Sequence, residues 1–179
     1  SDRYLLNFGI TTLVDNRVEK DGSISSDINQ PLALGGITDG VTNLEMTAAY
    51  ASIANTGKYT KPVFYSQVID SNGRIILDNT TPNTKTILKD STAYLLTQAM
   101  ISVVKEGTGT PCQLANGMPS AGKTGTTSSA YDLWFCGYTP YLTASIWTGY
   151  DENTALTGSQ NYHEKIWAKV MNQINEVKK

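Results

Sequence analysis

The densest group of residues that could do chemistry lies in the segment Pro119-Ser-Ala-Gly-Lys-Thr-Gly-Thr-Thr127. It places the ammonium of Lys123 beside a glycine and several threonine hydroxyls. Gly125 has no side chain, so an extended peptide can lie against this stretch as an added strand. The ammonium and the hydroxyls can bind a peptide carboxylate, and the Thr126 amide can point at a developing oxyanion. The segment therefore fits a surface that binds an extended peptide ending in a carboxylate.

The same letters also match a phosphate-binding loop. The string Gly117-Met-Pro-Ser-Ala-Gly-Lys-Thr124 fits the pattern G-x-x-x-x-G-K-[ST]. Such a loop must follow a buried apolar strand and open a helix. Residues 109–116 do not form an apolar run, and residues 125–129 start a helix poorly because glycine and β-branched residues crowd them. A P-loop NTPase therefore stays a remote alternative, and nucleotide binding with Mg²⁺ is its test.

The elements that must position the lysine follow from local patterns. The first half opens in a helical pattern. The capping box Thr42-Asn-Leu-Glu45 then starts a second helix that stops at Gly57. The runs Val63–Ile69 and Arg74–Leu77 predict two strands, joined at Asn72-Gly73 because both turn residues tolerate positive φ.

The second half predicts a helix, a sheet and a closing helix. The first helix covers Asp90–Glu106, with Asp90 or Ser91 as its cap and Gly107 as its stop. A strand at 121–127 carries the lysine and pairs with the first strand of a hairpin at 133–150. The closing helix runs over about 160–177. Its apolar residues recur at helical period and predict a core face: Tyr162, Ile166, Trp167, Val170, Met171, Ile174 and Val177. We read the chain as one continuous unit of the α+β class, an antiparallel sheet flanked by helices.

The composition and net charge exclude some classes of binding partner. The chain has 179 residues, of which 40% are hydrophobic and 17% charged, and 14 basic residues against 16 acidic give a net charge of −2. No stretch gathers the Lys and Arg that grip a phosphate backbone, so no nucleic-acid partner is expected. No apolar run approaches the ~20 residues of a membrane span. Abundant Thr, Ser and Asn favour a polar-surfaced globular chain.

Neither the cysteines nor the histidine predicts a metal or an organic cofactor. Cys112 and Cys136 lack metal-ligand spacing and are expected to be free, partly buried thiols. His163 stands in a polar stretch, where we expect a surface residue and not a catalytic base. The chemistry predicted for the lysine segment needs only hydroxyls and lysine, so we expect no cofactor.

Several blocks, all in the same order, resemble one family: the transpeptidase domain of class A, bifunctional penicillin-binding proteins. The resemblance covers roughly residues 32–151, and Lys123-Thr-Gly125 matches the family's K-T-G motif. The blocks that carry it are Leu32–Gly36, Gly40–Tyr50, Ala54–Gly57, Val103–Gly109, Ala121–Thr127, Asp132–Pro140 and Trp147–Asp151.

The resemblance implies a D,D-transpeptidase at the extracytoplasmic face of a bacterial membrane, with a membrane-anchored parent protein. A serine attacks the D-Ala-D-Ala end of a peptidoglycan stem peptide, and an amine of a neighbouring peptide resolves the acyl-enzyme. β-Lactam antibiotics mimic that dipeptide. By resemblance, Lys123 and Thr126 are catalytic, and Thr124, Gly125, Thr126 and Thr127 bind substrate.

The family uses three motifs, and only K-T-G stands in its place here. The motif S-x-x-K, with its serine at a helix N-terminus, and the motif S-x-N should both precede it. Ser102–Lys105 lies in the last turn of a predicted helix, where the helix dipole opposes an alkoxide. Ser120–Lys123 uses the K-T-G lysine itself and holds glycine where a helix is required. Ser159-Gln-Asn161 matches S-x-N but follows K-T-G and more plausibly starts the closing helix.

We therefore interpret residues 1–179 as the C-terminal part of one transpeptidase domain with no nucleophile of its own. The expected fold resembles penicillin-binding proteins and serine β-lactamases but lacks the upstream strands and the nucleophile helix. The chain alone should be inactive, and the missing upstream part of the domain should be its partner. A non-catalytic β-lactam-sensing or degenerate binding module of the same fold is the alternative. A serine β-lactamase shares K-T-G, but the block Trp134–Pro140 favours the transpeptidase.

Overall fold

The computed structural model describes residues 2–158 and 161–177. Its contacts divide into two compact units, Ser1–Ile87 (the first unit) and Leu88–Lys179 (the second unit). In the described ranges, no helix combines the length and apolar character required to cross a membrane. The lysine segment belongs to the second unit.

The first unit combines helices with two-stranded antiparallel ribbons. Its elements are α1 (Asp2–Asn7), β1 (Arg17–Val18), β2 (Ile24–Ser25), a 3-10 turn (Gln30–Leu34), α2 (Asn43–Ala54), β3 (Lys58–Thr60), β4 (Gln67–Ile69), β5 (Ile75–Asp78) and β6 (Thr84–Thr86). The ribbons pair β1 with β2, β3 with β6 and β4 with β5.

The predicted capping box of α2 is confirmed. The Thr42 hydroxyl accepts a hydrogen bond from the Glu45 amide at 3.1 Å, and Glu45 Oε2 accepts from the Thr42 amide at 3.0 Å. Glu45 Oε1 also accepts from the Thr11 amide at 2.8 Å, which ties the preceding loop to the helix start.

Helix α2 ends at Ala54, three residues before the predicted stop at Gly57. Thr56 already adopts positive φ, 53°, and Gly57 follows at 84° with its amide donating to Ser52 O.

A buried carboxylate organises the loop between α1 and α2. Asp27 is 2% exposed and accepts hydrogen bonds from the Val14 amide and from both the amide and the hydroxyl of Thr38, at 2.6–2.7 Å. Burial raises the pKa of Asp27, but these bonds lower it by more, so the net pKa lies below its usual range. The carboxylate stays charged and holds two distant loop segments together.

The β4–β5 hairpin turns at Asn72-Gly73 as predicted, but of these two residues only Gly73 adopts positive φ, and the first strand is shorter. Asp70 Oδ1 accepts from the amides of Asn72 and Arg74, and Gly73 lies at φ +80°. The strand predicted at Val63–Ile69 is wrong over its first four residues, since β4 begins at Gln67. The apolar composition of residues 63–66 favoured a strand, but no partner strand pairs with them within the described chain.

The second unit is a three-stranded antiparallel sheet flanked by two long helices. Its elements are α3 (Asp90–Glu106), 3-10 turns at Thr110–Cys112 and Ala115–Gly117, β7 (Ala121–Thr126), a 3-10 turn at Ser128–Ala130, β8 (Asp132–Tyr138), β9 (Thr143–Gly149) and α4 (Tyr162–Val177). The strand order in the sheet is β7-β8-β9. The predicted lysine strand, its pairing with the hairpin and the α+β class are confirmed.

The cap of α3 differs from the prediction. Lys89 occupies the N-cap position and makes no side-chain cap hydrogen bond, while Asp90 is already helical. The Asp90 carboxylate accepts from the adjacent Ser91 amide, at 2.7 Å. Gly107 ends the helix as predicted.

The core of the second unit lies on the sheet face that carries Phe135. The Phe135 ring is fully buried and meets the Trp167 ring of α4 edge-on, with the ring centroids 4.9 Å apart. Trp167 Nε1 donates to Ala144 O of β9 at 3.0 Å, which fixes α4 across the sheet. On the opposite face, the Tyr138 hydroxyl bonds to the Thr97 hydroxyl of α3 at 2.7 Å.

The predicted core face of α4 is partly wrong. Trp167 and Met171 are buried, but Ile166 and Val170 are 49% and 45% exposed. The buried face is rotated toward His163, so the prediction of a surface histidine is also wrong. Both faces fit a helical period, and only the sheet decides which one is covered. The predicted helix start at Ser159 and Gln160 lies outside the described residues, and α4 begins at Tyr162.

His163 is buried without compensation. It is 2% exposed, and neither ring nitrogen has a hydrogen-bond partner among the described residues. Nε2 lies 3.9 Å from Glu164 Oε1, and the Trp134 backbone approaches the ring without hydrogen-bond geometry. Burial therefore lowers the pKa of His163, and burial raises the pKa of Glu164. Burial thus shifts both groups toward their neutral forms.

We expect His163 to make folding stability depend on pH. Histidine in the unfolded chain has a pKa of about 6.5. As pH falls through this value, His163 is protonated in the unfolded chain before it is protonated in the folded chain. Stability should therefore fall toward pH 5, by at most about 1.4 kcal/mol per pH unit from this residue. In His163→Leu the loss between pH 7.5 and 5 should be smaller, measured by denaturant unfolding.

The matched control is Lys165→Leu, an exposed position on the same helix. It should follow the original chain at every pH. Glu164 contributes with the opposite sign but is present in every variant, so it largely cancels in the comparison. If the stability of the His163→Leu variant and that of the original chain change in parallel with pH, the pH dependence does not come from His163.

Candidate functional site

The site is built on β7, which pairs with β8 along one edge. The register places Lys123 opposite Cys136, Thr124 opposite Phe135 and Gly125 opposite Trp134. Within the described residues no strand pairs with the other edge of β7. Helix α3 also contacts this strand. Burial changes along the strand: Ala121 and Gly122 are buried, whereas Lys123 and Thr126 are exposed. The residues predicted to bind substrate or to act in catalysis therefore occupy the accessible half of β7.

Lys123 and Thr124 start on opposite faces of the sheet but meet beside the strand. Side chains alternate along a strand, so Lys123 shares a face with Cys136 and Thr124 shares one with Phe135. Lys123 Nζ nevertheless donates to Thr124 O at 2.9 Å and reaches Thr124 Oγ1 at 3.4 Å. The structure thus brings the predicted ammonium and one predicted hydroxyl together.

The charge of Lys123 is not neutralised locally. In the described part of the chain, no carboxylate forms an ion pair with it, in contrast to Arg17, which pairs with Asp39 and Glu19. Cys136 lies directly opposite in the register, but burial raises the pKa of its thiol to about 12, so the thiol stays neutral. An exposed, uncompensated ammonium attracts anionic groups.

Thr127 plays a structural role that the sequence did not reveal. Its hydroxyl accepts from the Asp132 amide at 2.8 Å and donates to Asp132 Oδ2 at 3.0 Å, which closes the turn between β7 and β8. Trp147 Nε1 donates to the other carboxylate oxygen, Asp132 Oδ1, at 2.8 Å. The hydroxyl of Thr127 is therefore committed to the turn, and its role in substrate binding stays a prediction.

The turn after the motif is strained. Ser129 and Ala130 both adopt positive φ, 63° and 54°, which non-glycine residues adopt uncommonly. The Ala130 amide donates to Thr127 O and its carbonyl accepts from the Leu156 amide, each at 3.0 Å. These bonds hold the strained turn at the exposed end of β7.

One contact at the site was not predicted. Thr108, which follows α3, lies with its hydroxyl 2.7 Å from the Thr124 hydroxyl. The sequence signal was present, since the Gly107-Thr-Gly109 triplet belongs to a block that carries the resemblance. Nothing local, however, linked that triplet to β7.

The two serines that match S-x-x-K lie where the sequence placed them. Ser102 is in the last turn of α3, and its hydroxyl points back to Gln98 O at 3.4 Å. Ser120 is buried immediately before β7 and is not on a helix. Neither serine stands at a helix N-terminus.

The described residues contain no group of three or more acidic, histidine or cysteine side chains that could hold a metal ion. Cys112 and Cys136 are free but fully buried, more than the predicted partial burial. Burial raises the pKa of both thiols, so they are unreactive. Residues 117–124 run from a 3-10 turn into β7, and no helix opens at Lys123, so the strand–loop–helix geometry of a P-loop is not formed.

The chain matches the family model described as penicillin binding protein transpeptidase domain, over residues 4–176. It belongs to this family, and the resemblance to class A penicillin-binding proteins is confirmed. The match covers both units.

Individual relatives agree with this assignment. The chain is 35% identical to penicillin-binding protein 1A of Clostridium acetobutylicum over 173 residues, which covers 96% of this chain and 20% of the relative. The penicillin-binding protein PonA1 from Mycobacterium tuberculosis superposes with a TM-score of 0.75 at 26% identity, covering 94% of this chain and 47% of that one. It has also been solved in complex with penicillin V, with a TM-score of 0.71, 26% identity and coverage of 95% of this chain and 48% of that one.

A third solved structure is of a single domain. The D,D-transpeptidase domain of a peptidoglycan glycosyltransferase from Eggerthella lenta superposes with a TM-score of 0.66 at 26% identity, covering 88% of this chain and 37% of that one. These likenesses confirm the predicted fold class. The chain spans about a fifth of the length of the curated relatives it matches.

The turn that follows β7 provides a stability test. Thr127→Val keeps the shape of the side chain but removes its donor and its acceptor, and it leaves the Asp132 amide unpaired. We expect a loss of about 1–2 kcal/mol in the free energy of unfolding of the chain. Chemical denaturation measures it.

Thr154→Val, in an exposed loop, is the control and should change stability by less than about 0.5 kcal/mol. Equal stabilities for the two variants would show that the Thr127–Asp132 bonds contribute nothing net to folding.

Proposed function

We propose that this chain supplies the carboxylate-binding and oxyanion wall of a serine D,D-transpeptidase that cross-links peptidoglycan stem peptides. One observation carries the proposal. In a chain of the penicillin-binding protein transpeptidase family, an uncompensated Lys123 ammonium stands beside Thr124 on the accessible half of a strand. An anionic peptide end fits this arrangement better than a nucleotide, because no helix N-terminus is available for phosphates.

Each residue of the wall has a distinct role in the proposal. The Lys123 ammonium attracts the terminal carboxylate of D-Ala-D-Ala and raises the positive potential near the nucleophile. Thr124 and Thr126 donate their hydroxyl protons to that carboxylate, and the Thr126 amide faces the oxyanion. Gly125 carries no side chain that would obstruct an extended peptide along β7. A Cβ there would in addition crowd Trp134 Cβ at 3.2 Å.

The nucleophile in this proposal is not among the 179 residues. A serine elsewhere in the same domain forms a C–O bond to the carbonyl carbon, and collapse of the tetrahedral intermediate breaks the C–N bond and releases D-alanine with a proton. The amine of a second stem peptide then forms the new amide and frees the serine. The steps need serine, lysine and hydroxyls, and no metal or organic cofactor takes part.

The partners follow from this chemistry. They are stem peptides that end in D-Ala-D-Ala, β-lactam antibiotics that mimic them, and the remaining part of the same domain. The penicillin V complex of PonA1 supports the β-lactam assignment by relationship. Peptidoglycan lies outside the cytoplasm, so we place the site at the extracytoplasmic face of a bacterial membrane, in a membrane-anchored parent.

Intact mass spectrometry after incubation with a penicillin tests the assignment of the nucleophile. The 179-residue chain should gain no adduct. A longer chain that includes the upstream part of the domain should gain one penicilloyl group, and peptide mapping should place it outside these residues.

A stoichiometric adduct on the short chain, mapped to Ser102 or Ser120, would overturn the proposal. If the longer chain is acylated but never transfers its acyl group to an amine, the non-catalytic β-lactam-sensing alternative is favoured.

Variants of Lys123 test the wall itself in the longer chain. Lys123→Ala should slow acylation by penicillin about 10²-fold or more, since it removes a preorganised charge from the site. Lys123→Arg should lose less, because it keeps the charge and changes only the geometry. The second-order rate constant for acylation is the readout.

Lys169→Ala, an exposed lysine on α4, is the matched control and should acylate at the original rate. Unchanged acylation in Lys123→Ala would be incompatible with a role for β7 in substrate binding.

A further inference from the structure

The Gly107-Thr-Gly109 turn presents one side chain to the site. The amides of Gly107 and Gly109 both donate to the same acceptor, Val103 O, at 3.1 and 3.0 Å. A Cβ on Gly107 would lie 2.9 Å from the Val103 Cα and carbonyl oxygen. A Cβ on Gly109 would crowd the Phe135 ring at 3.3 Å. The turn is therefore clamped against α3 and β8, and Thr108 between the glycines has a fixed position.

The Thr108 hydroxyl meets the Thr124 hydroxyl at 2.7 Å, so one of them donates and the other accepts. Lys123 Nζ also reaches Thr124 Oγ1, at 3.4 Å, and an ammonium only donates. A threonine oxygen has two lone pairs and one proton. Thr124 can accept from both neighbours at once, and its own proton is then free to point away from them.

We propose that Thr108 is a positioning residue that donates to Thr124 and thereby turns the Thr124 proton toward the carboxylate of the bound peptide or β-lactam. The inference rests on the proposed function, in which Thr124 binds that carboxylate. If Thr124 donated to Thr108 instead, it would have no proton left for the substrate. A negative carboxylate favours the first arrangement, because it requires a donor in front of it.

A purely structural role explains the contact less well. Both hydroxyls lie at accessible positions: Thr108 is exposed and Thr124 half-buried. A neutral hydrogen bond open to water adds little to folding. The turn is already held by Val103 O and by the packing of its glycines, so it does not need the Thr108 hydroxyl for its shape.

The test uses the longer, acylation-competent protein and compares a penicillin with its methyl ester. The ester lacks the carboxylate that Thr124 holds. Thr108→Val should slow acylation by the free acid about threefold to tenfold, the net value of one hydrogen bond, and leave acylation by the ester unchanged. Thr108→Ser, which keeps the hydroxyl, should restore most of the rate. Thr110→Val, in the next turn and exposed, is the matched control and should behave as the original protein.

A double variant distinguishes an effect of Thr108 that acts through Thr124 from a general disturbance of the site. In a Thr124→Val background, Thr108→Val should have no further effect on acylation by the free acid, because the Thr124 hydroxyl that it positions is gone. The inference is overturned if Thr108→Val leaves the ratio of acid to ester rates unchanged, or if it slows the Thr124→Val protein as much as the original. Failure of the proposed function gives a different result: in that case neither Lys123→Ala nor Thr124→Val would change the ratio of the acylation rates with the free acid and the ester.

Discussion

The buried ring of Phe135 is the contact on which the rest of the second unit depends. Glycines surround it: a Cβ on Gly122 would lie 2.5 Å from the ring, one on Gly137 2.6 Å, and one on Gly109 3.3 Å. Gly122 and Gly137 face each other in the β7–β8 register, so the ring can lie over both strands. On its other side the ring meets Trp167 of α4. One side chain thus fixes two strands, a helix and the turn that carries Thr108.

This packing explains why the site has a single register. A shift of β7 by one residue would move each of its side chains to the other face of the sheet. Lys123 would then point at the Phe135 core, where a charge without a partner is costly, and Gly122 would no longer leave room for the ring. The same contact that stabilises the core therefore keeps the lysine on the accessible side, opposite the neutral thiol of Cys136.

Local features of the fold could be predicted from the sequence, and long-range ones could not. The capping box at Thr42, the turn at Gly73 and the pairing of the K-T-G strand with the 133–150 hairpin each depend on neighbouring residues. The burial of His163 does not depend on neighbouring residues in this way. The α4 pattern fits two adjacent helix faces, and contact with the sheet determines which of them is buried. The contact of Thr108 with Thr124 joins positions 16 residues apart through the packing of Phe135, which no local pattern encodes.

The donors and acceptors around Thr124 determine which kind of group can bind in front of β7. Lys123 can only donate, and its ammonium already points at the carbonyl and the hydroxyl of Thr124. The Thr124 oxygen is therefore best used as an acceptor from within the protein, which leaves its proton for a group outside. An anion in front of β7 satisfies that proton and the ammonium together, whereas a cation or a second donor would satisfy neither. In the proposed function, the order of donors along the strand therefore sets the requirement for a negatively charged acceptor before any substrate is bound.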